Sequence, residues 1–418
     1  MLLNLSLALP RGCRALLALC CAVALLQPAF AAKPMARKPA LAAQHQARDG
    51  DAEARLIEIY KLVGQAKTRA ALAKAETLVR DHPSFQLAQL VYGDLLTAQV
   101  GPVRSFGDVP HATAQSSAQL LAGLREESQL RMRALRERPP AGAIPAQFLQ
   151  LSPRNRHAIA IDTSRARLYL FENKPDGIKL VADYYISVGK SGIEKAVEGD
   201  LRTPLGVYYV TSNLDPKSLK DFYGAGALPI NYPNPYDARR GKTGSGIWLH
   251  GTPPGQFSRA PKATDGCVVL ANPDLLRIVK TVETRTTPVV IANSLKWVAP
   301  ASVQPDSRRF ADVLQAWRNA KATGDVDAML GFYTSDFSFN GKTLAAWTPL
   351  LKVELTRARG RDIELKDLSF LRWTDGTAET MVVTFGEVAA GARTGPVKRQ
   401  YWVRQGPHWK IFYEGVIG

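Results

Sequence analysis

Cysteine is scarce in this chain. Four of the 418 residues are cysteine, and Cys13, Cys20 and Cys21 all fall within the first 21. That start carries Arg11 and Arg14, then an apolar stretch from Ala15 to Leu26, and ends in Ala29-Phe30-Ala31. The stretch is well short of the ~20 residues a membrane span needs. A basic start, a short apolar middle and a small-x-small end are the order of a secretory signal peptide, expected over residues 1–31. Its cleavage would leave Cys267 as the one thiol, which excludes a disulfide framework in an oxidising compartment. It also argues against a zinc site, because the single Cys267 and the best-placed histidine give two ligands and no clustered third. No metal or cofactor is expected. No later segment is long and apolar enough to span a bilayer, so the expectation is an exported protein of the periplasm or cell envelope with no transmembrane span after cleavage.

Acidic residues are also in short supply. Lys and Arg number 54 against 37 Asp and Glu, a net charge of +17. Such a balance suggests a polyanionic partner. Zinc-finger spacing and a basic stripe interleaved with aromatics are both missing, which argues against nucleic acid. An anionic envelope polymer or membrane surface fits an exported chain better.

What is present falls into segments. Residues 32–52 are rich in Ala, Lys and Pro and read as a flexible leader. Over residues 53–140 apolar residues recur at helical spacing. Leu56, Ile59, Tyr60 and Val63 lead to Leu72, Ala75, Leu78 and Val79, and Leu87, Leu90, Val91 and Leu95 resume after Pro83. This predicts a helical hairpin, loosely similar to one tetratricopeptide unit, and a further helix from about Ala114 to Arg138. A single such unit cannot bury its own face, so it is expected to pack on a neighbouring domain or a second subunit.

From His157 the period changes to alternation: "HAIAID", "RLYLFE", "LVADYYISVG", "GVYYVTS", "GIWLHG", "CVVLA" and "TPVVIAN" read as strands. Between the last two, Asn272 is placed as an N-cap and Pro273 as the first residue of a helix. The chemistry gathers at two points of this region. His250 ends an apolar strand and is followed by Gly251; Cys267 follows seventeen residues later, directly after Gly266. Thiol chemistry needs a base or a cationic imidazole within reach of the sulfur, and two adjacent strands joined by a loop can bring the pair together.

The stretches "GDLRTPLGVYYV", "IWLHGTP" and "TDGCVVL" resemble the YkuD-type L,D-transpeptidase catalytic domain over residues 150–294. The resemblance implies Cys267 as nucleophile, His250 as acid and base, the Gly251 carbonyl orienting the imidazole, and the amides around Gly266 and Cys267 as the oxyanion site. It implies peptidoglycan stem peptides as substrate. Thr264, Asp265, Arg259 and Tyr232 are the candidates for substrate binding, with Arg239 and Arg240 on an aromatic-proline loop. Asp265 stands where the family usually has histidine and Val269 where arginine is common. A carboxylate beside the thiol tends to raise its pKa unless it pairs with a base such as Arg259.

"SVQPDS" reads as a linker. Residues 305–418 then give helix, turn, helix and long strands, similar to the nuclear transport factor two-like (SnoaL-like) fold, a cone of curved sheet on helices. Fifteen of the 34 aromatics lie there, and core filling is favoured over a ligand pocket. The whole is expected to be an α+β multidomain chain: a helical region, a β-rich catalytic domain and a C-terminal α+β cone. The three-part layout resembles cell-shape L,D-carboxypeptidases, so stem-peptide cross-linking and tetrapeptide trimming both stand. A non-catalytic peptidoglycan-binding scaffold is the third reading, and a homodimer through the helical or C-terminal domain is the expected assembly.

Overall fold

The computed structural model describes residues 50–108, 115, 117–339, 341–376 and 378–417. The signal-peptide expectation and all but the last residues of the expected leader lie outside them. Four helices come first: α1 (Asp51–Gly64), α2 (Thr68–Asp81), α3 (Gln86–Thr97) and α4 (Ala118–Arg136). Their buried residues recur at helical spacing: Leu56 and Ile59, then Ala71, Ala75 and Leu78, then Leu87, Val91 and Leu95. The expected hairpin is three helices, because the chain turns at Ala66 with φ 56° before α2 begins. Fully buried charges tie these helices to the catalytic region. Glu53 of α1 meets Arg131 of α4 at 3.0 Å and Arg167 at 2.7 Å, and Arg167 also pairs with Asp183.

Two short strands, β1 (Ile144–Pro145) and β2 (Phe148–Gln150), precede the catalytic region. There β3 (His157–Asp162), β4 (Arg167–Lys174), β5 (Gly177–Tyr185), β6 (Val188–Gly189), β7 (Gly206–Tyr209) and β8 (Ala227–Pro229) lead to α5 (Pro235–Arg239). Then come β9 (Trp248–His250), β10 (Lys262–Thr264), β11 (Val268–Val269), α6 (Asn272–Thr281) and β12 (Pro288–Ala292). The main sheet has the order β5-β4-β3-β12-β7, and a smaller one runs β11-β9-β8. Both faces of the main sheet are covered, so each strand divides its residues by the two-residue period. Ile159, Ile161, Val289 and Ile291 point into the catalytic core. Ala158, Ala160, Val290 and Ala292 enter a second core shared with the C-terminal region.

That region follows β13 (Trp297–Val298) with α7 (Pro300–Thr323), α8 (Val326–Leu330), β14 (Tyr333–Phe339), β15 (Lys342–Thr343) and α9 (Leu344–Ala358). Long strands β16 (Ile363–Asp375), β17 (Ala378–Ala389), β18 (Val397–Gln405) and β19 (His408–Val416) complete it. The sheet order is β15-β14-β19-β18-β17-β16-β2, so β2 joins the C-terminal sheet across 220 residues, with Phe370 opposite Gln150. The predicted linker "SVQPDS" is helical instead. Pro305 lies inside α7 near its start, where the helix forgoes one backbone hydrogen bond and keeps Val303 and Ser307 buried. Phe310, Trp317, Phe337, Trp347, Phe370, Phe385 and Trp402 fill the space between helices and sheet, so the aromatics form core, as the sequence favoured.

Candidate active site

Parallel pairing of β9 with β11 sets the site. Val268 lies opposite Leu249 and Val269 opposite His250, and the Leu270 amide donates to the His250 carbonyl at 2.9 Å. This register places Cys267, one residue ahead of β11, level with Trp248, two residues before His250 on the neighbouring strand. Strand pairing thus sets the imidazole and the sulfur on neighbouring strands, two register positions apart, although seventeen residues separate them in sequence. Gly266 makes the approach to Cys267 possible: its φ is 121°, and a Cβ there would sit 2.7 Å from the Arg202 carbonyl oxygen.

His250 is buried against Phe222 and Tyr223, with ring centroids 5.8 and 5.1 Å away. Its Nδ1 contacts the Gly251 carbonyl oxygen at 2.7 Å. A carbonyl only accepts, so this contact puts the proton of the neutral ring on Nδ1 and leaves Nε2 with a free lone pair. Burial lowers the His250 pKa to about 4, opposed by the bond to Gly251 and aided by the Arg259 charge. Burial likewise raises the Cys267 thiol, and Asp265 adds to that, while the Trp248 amide and the Arg259 and Lys195 charges favour the thiolate. Burial thus favours a thiol and a neutral imidazole over an ion pair. The Sγ–H donates to the Gly246 carbonyl at 3.4 Å.

The other sequence candidates divide. Thr264 shapes the loop: its hydroxyl donates to the Cys267 carbonyl at 2.7 Å and accepts from the Gly266 amide at 3.1 Å. The Gly266 amide is thereby committed, and among the described residues only the Cys267 amide of the two expected oxyanion donors has no partner. Arg259 is buried, stacked 4.6 Å from the Phe222 ring centroid, with its charge acting on both Cys267 and His250. Asp265 pairs with Lys190 at 2.9 Å in an exposed position, so the base suggested for it, Arg259, is not its closest partner. Tyr232 is placed in the catalytic core, 5 % exposed, its hydroxyl donating to the Thr243 carbonyl. Arg239 and Arg240 reach the C-terminal region, pairing with Asp336 and Asp375. Among the described residues no three His, Cys, Asp or Glu side chains converge as a metal site requires.

Two residues serve the site in ways the sequence alone does not show. Thr203, fully buried, accepts from the Gly189 amide and donates to the Gly266 carbonyl at 2.9 Å, bracing the turn before the thiol. Asn272 was expected to cap α6, but Ala271 holds the cap position and no side-chain cap bond forms. Its side chain turns back instead, accepting from the amides of Ala225 at 2.9 Å and Thr252 at 3.1 Å and donating to the Thr252 carbonyl at 2.8 Å. The Asn-Pro pair marked a boundary correctly; which boundary the amide served depends on residues far away in sequence.

The loop from Thr252 to Thr264, which carries Arg259, is held by the helical region. Phe257 stacks on Phe85 at 4.3 Å and its amide donates to the Ser84 carbonyl at 3.2 Å. The Ser258 hydroxyl donates to Glu127 at 2.9 Å.

Residues 156–291 match the YkuD family, the L,D-transpeptidase catalytic domain, and residues 309–415 match the Cds6 C-terminal NTF2-like domain. No curated protein matches the chain. Among solved structures, Bd1075 of Bdellovibrio bacteriovorus is similar at a TM-score of 0.56 and 26% identity, over 66% of this chain and 98% of that one. Pgp2 of Campylobacter jejuni, described as a helical cell shape determining protein, is similar at 0.52 and 23% identity, over 65% and 95%. At that identity the likeness to Pgp2 is one of fold.

Proposed function

We propose that this chain, an L,D-transpeptidase catalytic domain joined to an NTF2-like domain, is an exported cysteine acyl-transferase acting on peptidoglycan stem peptides. The observation that carries the reading is the buried His250 held by the Gly251 carbonyl on the strand that pairs beside Cys267. Because the resting sulfur is protonated, attack is coupled to proton transfer. The Sγ–H proton passes to His250 Nε2 as sulfur adds to the carbonyl carbon of the third stem residue. The Cys267 amide faces the oxygen that gains charge. Imidazolium Nε2–H then protonates the nitrogen of the departing D-Ala, the C–N bond breaks, and a thioester remains. In the second half an acceptor loses its proton to Nε2 and displaces the sulfur, which takes that proton back.

An amine acceptor gives a cross-link or attachment. Water gives a tripeptide, the L,D-carboxypeptidase outcome, and this second reading draws on the pairing of the two matched domains, a layout that resembles cell-shape carboxypeptidases. Incubating the protein with purified tetrapeptide muropeptides and weighing the products by mass spectrometry decides. Dimers support transfer to amines, tripeptides support hydrolysis, and unchanged muropeptides would turn the reading toward a binding scaffold.

A further inference from the structure

We propose that Asn272 is a positioning residue for the base, acting through the single peptide unit between Gly251 and Thr252. The inference rests on the assignment of His250 as acid and base. A trans peptide unit directs its C=O and its N–H to opposite sides of one rigid plane. Here the Gly251 carbonyl accepts from His250 Nδ1 at 2.7 Å, and the N–H of the same unit, that of Thr252, donates to Asn272 Oδ1 at 3.1 Å. Holding one end of the plane aims the other. The two bonds run in line, from the Nδ1–H through the peptide to the side-chain amide, and each polarises the next.

The surroundings are built around this amide. Asn272 Nδ2 donates to the Thr252 carbonyl at 2.8 Å, and Oδ1 takes a second amide from Ala225 at 2.9 Å, so both ends of the group are engaged. A Cβ on Gly251 would lie 2.0 Å from Asn272 Oδ1, and one on Gly224 would lie 2.3 Å from the same atom. Glycine at 251 is therefore required by Asn272, whereas Gly224 is constrained by Asn272 Oδ1 together with the Thr252 carbonyl oxygen at the same 2.3 Å and by its φ of 63°. The Gly251 amide is fixed independently, donating to the Tyr223 carbonyl at 3.0 Å. Helix α6 thus does more than cover the sheet: its first residue reaches past its own amides to the strand end carrying the base.

Asn272→Ala is expected to lower kcat on tetrapeptide muropeptides by about 10–100-fold with KM changed less than about threefold, the effect of a misaimed base. Asn272→Asp separates aim from mere packing. Its protonated form offers the same acceptor and donor as the amide, whereas its ionised form cannot donate to the Thr252 carbonyl. The ratio of variant to wild-type activity is therefore expected to rise as pH falls from 8 to 5. Nitrogen NMR of the imidazoles reads the aim directly, without substrate. His250 should hold its proton on Nδ1 in the wild type and lose that preference in Asn272→Ala. A folded Asn272→Ala protein with wild-type kcat, or with the Nδ1–H form intact, overturns the proposal, as does an Asn272→Asp ratio flat with pH. If the wild type transforms no muropeptide yet the tautomer still shifts, the acyl-transfer reading fails and the positioning role stands.

Discussion

The C-terminal region and the candidate active site both bury ionisable groups, and they treat them in opposite ways. In the C-terminal region Lys321 and Lys398, each almost fully buried, face Glu354, Glu387 and Glu414 at 2.6–3.5 Å. Every charge there has an opposite charge in contact, and Lys398 is held well above the usual lysine range by its three glutamates despite the cost of burial. At the candidate site His250 is buried and Cys267 half-buried, with no carboxylate among the described residues in contact with the imidazole, and burial favours the neutral form of each. Paired burial yields a rigid element in which each charge is matched by an opposite one. Unpaired burial leaves a neutral imidazole and a neutral thiol, the pair that the proposed reaction calls for. The difference between a cluster that holds a fold and a pair that can react lies in whether the counter-charge is in place beforehand.

The sharpest test removes the reactive side. Cys267→Ala is expected to reduce acyl transfer on the order of 10⁵-fold or more, as loss of a nucleophile does, with the circular dichroism spectrum unchanged. Turnover retained by the pure variant would sink the nucleophile assignment. The complementary change strikes the paired side. Lys398→Met leaves Glu414 and Glu387 short of a partner and should lower the unfolding free energy by about 3 kcal/mol, read from denaturant melts, while kcat per folded molecule stays within about twofold. A large loss of kcat in folded Lys398→Met protein would join the two regions functionally and break the contrast.

Protonation provides the next test. His250 has a folded pKa near 4 against 6.5 in the unfolded chain. Between those values the unfolded state binds the extra proton, so this residue's contribution to stability is fully present above 6.5 and is lost as pH falls toward 4. His250→Gln should shrink the stability difference between pH 7.5 and pH 4.5 by ~1–3 kcal/mol. An unaltered difference would mean that the imidazole is not enclosed as described. The smallest effect belongs to Asp265, an exposed carboxylate already paired with Lys190. Asp265→Asn should lower the midpoint of thiol alkylation by less than about one pH unit, and Lys190→Ala should raise it. Both shifts should fade in ~0.5 M salt, because exposed charges are screened. A midpoint that ignores both variants would assign Asp265 to loop structure alone.

Much of this was legible along the chain. Strands β3, β4 and β12 were visible because alternation is a local property, and His250 and Cys267 stood out because a glycine adjoins each at a strand end. What stayed hidden depends on partners far away. Asn272 reads as a helix cap to any rule that sees only its neighbours, and its actual partners lie 20 and 47 residues earlier. Thr203 reads as a turn residue, though its hydroxyl serves Gly266 sixty-three residues on. Arg239 and Arg240 look available to a ligand until the C-terminal region brings Asp336 and Asp375 to them. Pro305 suggested a break, yet a helix tolerates one near its start when packing on both sides of it is kept.

The grip of the helical region on the loop between Thr252 and Thr264 bears on where the working enzyme begins. Phe85 and Glu127 hold Phe257 and Ser258, the two residues just ahead of Arg259, whose charge acts on the thiol. A fragment cut to the matched catalytic segment, starting at residue 156, would keep Cys267 and His250 but lose the contacts that hold the loop carrying this cation. A fragment meant to keep these contacts therefore has to include Phe85 and Glu127.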